Sequence, residues 1–137
     1  MTNANLPLGY LRSATRRLET LPILKDSGGY NDVVREAQEI VELALKAILR
    51  WIGKDPPHRH DVGPEIIQYL NHLDNAVHDE ARLVAAASKH LRKDRELAFY
   101  GADDFVPDES YTPDEADIAR DWAIRAVRLA NLVIGAP

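Results

Sequence analysis

The apolar residues of 33–51 constrain this chain most. Val33, Ala37, Ile40, Val41, Ala44, Ile48 and Trp51 recur every three or four positions, the repeat of one helix face. A second stripe on the same segment, Val34, Gln38, Val41, Leu45, Ile48 and Ile52, is apolar except at Gln38. A helix with such faces needs other helices to cover them. The outer positions carry Arg35/Glu39 and Glu42/Lys46 at i,i+4, which read as solvent-exposed ion pairs. Gly53 and the following Asp-Pro-Pro close the segment.

The rest of the chain follows the same logic. After Pro7, Leu11, Ala14, Leu18 and Leu21 form one apolar face, and the helix stops at Asp26–Gly29. Pro64 suits the first turn of a short helix through Ile66, Ile67, Leu70 and Leu73. A fourth helix spans about Asn75 to Tyr100. The last opens at Thr112-Pro113-Asp114-Glu115, which spells an N-cap, a proline at N1 and a capping box. Trp122, Ala123, Ala126, Ala130 and Val133 supply its buried face. No segment sustains the period of two that marks a strand. The expectation is all-α: a single-domain up-and-down bundle of about five helices over residues 1–137.

Composition excludes several classes. The 45% hydrophobic content suffices for a core. A net charge of −5 argues against a protein that coats nucleic acid nonspecifically, but leaves room for a local basic patch. There are no cysteines, so disulfides, thiolate zinc sites and thiol catalysis are ruled out. No apolar run reaches the ~18 residues of a membrane span, and no signal peptide is visible, so a cytoplasmic location is expected. His58, His60 and Asp61 could chelate from one loop, but no distant third ligand appears, and capping of the third helix by His60 and Asp61 is the simpler reading. Asp26–Gly29 lacks the Gly-Lys-Ser/Thr of a phosphate loop. No metal or cofactor is expected.

One stripe on the fourth helix stands out. Val77, Ala81, Val84, Ser88, Leu91, Arg95 and Ala98 share a face, and only Arg95 is charged. Either Arg95 reaches past the seam's edge to water, or it lines a polar cleft where its planar fork meets phosphate. Lys89, His90, Arg92 and Lys93 crowd the same turns. Some of that charge answers the negative end of the helix dipole.

Several segments together resemble the HEPN family (higher eukaryotes and prokaryotes nucleotide-binding domain). They are Gly28–Gly53, with its Tyr and Ala-Gln; His60-Asp61-Val62; and Leu91–Gly101 followed by Tyr111–Ala123. The resemblance implies a helical bundle that dimerises. It also implies binding of nucleotide or RNA, and a minimal nucleotidyltransferase as partner in a toxin–antitoxin-like pair. In the family's RNases an arginine is followed four to six residues later by histidine. Arg95 matches the arginine, but Tyr100 stands where the histidine is expected. Tyrosine, with an ordinary pKa near 10, is a poor base at neutral pH, though it can donate a hydrogen bond or stack on a base.

Three functions follow as expectations. The first is a binding module using Lys89, Arg92, Arg95, Tyr100 and His60 to hold RNA or nucleotide. The second is a metal-independent endoribonuclease toxin with Arg95 and Tyr100 as its catalytic pair. The third is a non-catalytic structural bundle in which Arg95 is a satisfied seam residue.

Overall fold

A computed structural model of the chain describes residues 5–58, 61–100 and 106–135, and for 93–100 the backbone alone. Among the described residues there are seven α-helices and no strand. They are α1 (Asn5–Leu18), α2 (Leu21–Asp26), α3 (Tyr30–Trp51), α4 (Gly63–Gln68), α5 (His78–Tyr100), α6 (Pro107–Ser110) and α7 (Pro113–Ile134). Two 3₁₀ turns, Leu70–His72 and Asn75–Val77, link α4 to α5.

The long helix α3 is the axis of the bundle. It packs against α7, α1 and α5, with α2 and α4 covering its ends. Its two apolar stripes are therefore both used: Val33, Val34, Ile40, Val41, Leu45 and Ile48 are all at most 2% exposed. Burying each of the larger of these side chains is worth about 1.5–3 kcal/mol. Trp51 lies beyond the covered stretch and is exposed.

Two glycines end helices by the same device. After α3, the Gly53 N–H donates to the carbonyl of Arg50 and the Lys54 N–H to that of Leu49. After α2, Gly28 and Gly29 donate in the same way to Lys25 and Leu24. Both are Schellman turns, and Gly53 and Gly28 carry the positive φ they need, 81° and 85°.

The first apolar face is not one helix. The repeat Leu11, Ala14, Leu18, Leu21 continues across a break at Glu19–Thr20, where α1 gives way to α2. Pro22 explains the break. It has no N–H to donate, and its ring would collide with the carbonyl of Leu18 in a continuous helix. In the new helix it sits harmlessly in the first turn.

At α7 the expected cap is present. The Thr112 side chain accepts from the Glu115 N–H at 3.2 Å, and the Glu115 carboxylate accepts from the Thr112 N–H at 3.3 Å. Tyr111, just before the cap, is buried, as is Ala116 on the first turn of α7. Ala116, Ala119, Ala123, Ala126 and Ala130 recur at 3 and 4 and are each at most 2% exposed. This alanine seam lets α7 lie close against α3. Trp122 and Val133 pack only partly against the core.

Candidate nucleic-acid interface

The helix that carries the basic run, α5, is oriented by its neighbours. Arg125 of α7 grips Glu80 of α5 with two hydrogen bonds, Nε–Oε2 at 2.9 Å and Nη2–Oε1 at 2.5 Å. That grip holds the Glu80 carboxyl below its ordinary pKa, against a smaller opposing effect of burial. The same guanidinium lies 4.2 Å from the centre of the Trp122 ring. Further along, Leu91 of α5 and Ala119 of α7 line one cavity, so the two helices run antiparallel.

On the opposite flank α4 abuts α5. A side chain at Gly63 would place its Cβ 2.5 Å from the carbonyl oxygen of Ala85, so the two backbones meet directly. The Asp61 carboxylate accepts from the Gly63 N–H at 3.0 Å and turns the chain into α4, but the N-cap itself is Val62, which has no side-chain cap, so Asp61 shapes the approach to the helix instead of capping it. His60 lies outside the described residues.

These contacts fix which face of α5 is buried. Ala81, Val84, Ser88 and Leu91 face inward, each at most 5% exposed. Lys89, His90 and Arg92 are exposed around the buried Leu91. The backbone of α5 continues as helix through Tyr100. The side chains of Lys93, Arg95 and Tyr100 lie outside the described residues. Of the expected binding residues, the structure thus places Lys89 and Arg92 together in solvent on adjacent turns.

The interior of the bundle also holds polar groups. Gln38, Glu42 and Ser88 are 1%, 6% and 1% exposed. Gln38 is the polar intruder on the α3 stripe. Glu42 departs from expectation: its pair with Lys46, Nζ–Oε1 at 2.7 Å, is not a surface pair, because the carboxylate is folded into the bundle. The Ser88 hydroxyl is buried with no hydrogen-bond partner among the described residues. The signal for Glu42 was present. It lies four residues after Gln38, so the two share one face of a helix whose neighbours are apolar.

Where α3, α5 and α7 converge, a cavity of about 170 Å³ is lined by Val34, Leu91, Tyr111, Glu115, Ile118 and Ala119. It can hold several waters or one small planar group. Elsewhere, His78 Nε2 lies 3.0 Å from the Leu73 carbonyl, and His72 packs edge-on to Tyr69. Among the described residues no group of three or more His, Cys, Asp or Glu side chains is placed to hold a metal ion. None of the described helices is long and apolar enough to cross a membrane.

The arrangement defines a class first: a small all-α module, built on one enclosed helix, with a cationic run around a neighbouring helix. Residues 9–134, nearly the whole chain, match the family model of the HEPN domain. The chain belongs to the HEPN domain family. No curated protein and no solved structure matches it.

Proposed function

We propose that this HEPN domain is a binding module that holds RNA or a nucleotide on the C-terminal half of α5. One observation carries the reading. In a chain of net charge −5, Lys89, His90 and Arg92 stand exposed together around the buried Leu91 of α5. Lys89 and Arg92 supply phosphate contacts, and Arg95 and Tyr100 extend the surface toward the end of α5. The family's habits support a homodimer, with a minimal nucleotidyltransferase as partner in a toxin–antitoxin-like pair.

Anisotropy titration with labelled single-stranded RNA, and calorimetry with ATP, test this. Changing both Lys89 and Arg92 to Ala weakens RNA binding and lowers the salt slope by about 1.4, the share of two phosphate contacts on a single strand. Arg95→Ala removes most of what remains. Cleavage that persists in EDTA and disappears in Arg95→Ala would instead assign the metal-independent endoribonuclease. If the chain neither binds nor cleaves, and Arg95→Ala changes only stability, the domain is structural.

A further inference from the structure

On the α1 side of the bundle, α1 and α7 both rest on α3 but leave a trough between them. It consists of two adjoining hollows of about 580 and 420 Å³ that share Asn131. Leu8 and Leu11 line one hollow with Ile134, and Leu18 lines the other with Ile124 and Val127. The helices are therefore antiparallel, and from Ile124 to Gly135 the trough runs about 16 Å, or three helical turns. Leu132 stands in its wall, 64% exposed.

The charge of the lining is one-sided. Arg12, Arg16 and Arg128 line the trough, and no Asp or Glu does. The chain has 22 acidic residues against 17 Lys and Arg, so a lining of three cations and no anion departs from its average. None of the three guanidinium groups forms an ion pair or hydrogen bond with a described residue. In contrast, Arg17, Arg50, Arg82 and Arg125 are each paired with a carboxylate.

We propose that this trough docks an amphipathic helix of a partner protein, whose aliphatic side chains at i, i+3, i+4 and i+7 fill the floor and whose flanking carboxylates meet Arg12, Arg16 and Arg128. An aliphatic trough three turns long is the form that helix-in-groove recognition takes. Guanidinium forks without a hydrogen-bond partner among the described residues are suited to carboxylates, and Arg128 already acts on one at longer range by helping to lower the pKa of Glu80. Nucleic acid fits less well, because no aromatic ring lines the trough to stack a base. The surface lies apart from the basic run on α5, so it stands or falls without the RNA reading.

The test uses the full chain and a fluorescein-labelled, helix-stapled peptide of about 15 residues, long enough to span the trough. The peptide carries leucine at i, i+3, i+4 and i+7 and glutamate on both flanks. Saturable binding is expected, weakened about tenfold by the double variant Arg16→Glu/Arg128→Glu or by Leu132→Asp, which is 1.4 kcal/mol each. Both variants should keep the wild-type circular dichroism and melting temperature. A lysine-flanked peptide should bind the wild type about tenfold more weakly and regain affinity for Arg12→Glu/Arg16→Glu/Arg128→Glu. Absence of binding overturns the proposal, as does equal affinity for the two peptides or indifference to every variant. Two further outcomes overturn it by naming another occupant. One is a concentration-dependent dimer dissociated by Leu132→Asp, which makes the trough an interface between copies. The other is arginine-dependent sedimentation with vesicles of equal parts phosphatidylglycerol and phosphatidylcholine, which makes it a lipid surface.

Discussion

Gly63 and Gly9 show how little a residue's name says without its surroundings. At Gly63 an added methyl would sit 2.5 Å from the Ala85 carbonyl oxygen, and backbone cannot move aside as a side chain can. Gly63→Ala is expected to destabilise the chain by about 1–3 kcal/mol through overpacking. At Gly9, inside α1, the nearest atom is the end of Arg12 at 3.9 Å. Gly9→Ala should stabilise by up to about 1 kcal/mol through helix propensity alone. Urea midpoints of the two variants should move in opposite directions. Ser88 offers a second residue-scale check. A buried hydroxyl without a partner costs about 1–3 kcal/mol, so Ser88→Ala is expected to raise the urea midpoint. A fall would mean that the hydroxyl is engaged in the folded chain.

At the scale of elements, α7 depends on being narrow. Its alanine seam faces α3, and Ala123 is fully buried in the middle of it. Ala123→Leu should force the two helices apart and cost about 1–3 kcal/mol, read as a lower melting temperature. Helix identity was legible in the sequence because the period of three and four survives any packing partner. The caps were legible because their chemistry is local: Thr112, Glu115, Gly28 and Gly53 each act within a few residues of themselves. The break before Pro22 was missed because the apolar repeat runs through it undisturbed. The burial of Glu42 was missed because an i,i+4 pair with Lys46 looks alike on a surface and in a seam. Nothing local marks Gly63, whose constraint comes from α5. Of the candidate site, Lys89 and Arg92 were found as an exposed pair, whereas Arg95, Tyr100 and His60 fall where side chains are not described.

At the scale of the molecule, ion pairs tie the outer helices to their neighbours: Arg17 with Glu36, Lys25 with Asp117, and Arg125 with Glu80. The last gives a pH signature. Glu80 has a lower pKa folded than unfolded, chiefly because Arg125 hydrogen-bonds its ionised form. Its stabilisation is therefore complete above the unfolded value, near 4.3, and is lost as pH falls through the lower folded value. Both partners are about one-third exposed, so after solvent screening the pair is worth about 0.5–1 kcal/mol. Melting curves of the wild type and Glu80→Gln should differ by that amount at pH 7 and draw together as the pH falls through the lowered folded-state pKa of Glu80.

The enclosure of α3 has a consequence for how such a molecule can change. The cationic run belongs to α5, and the arginine-lined trough to α1 and α7; neither borrows a charged side chain from the central helix. Either outer surface can be rewritten for a new ligand or a new companion while the axle inside stays as it is.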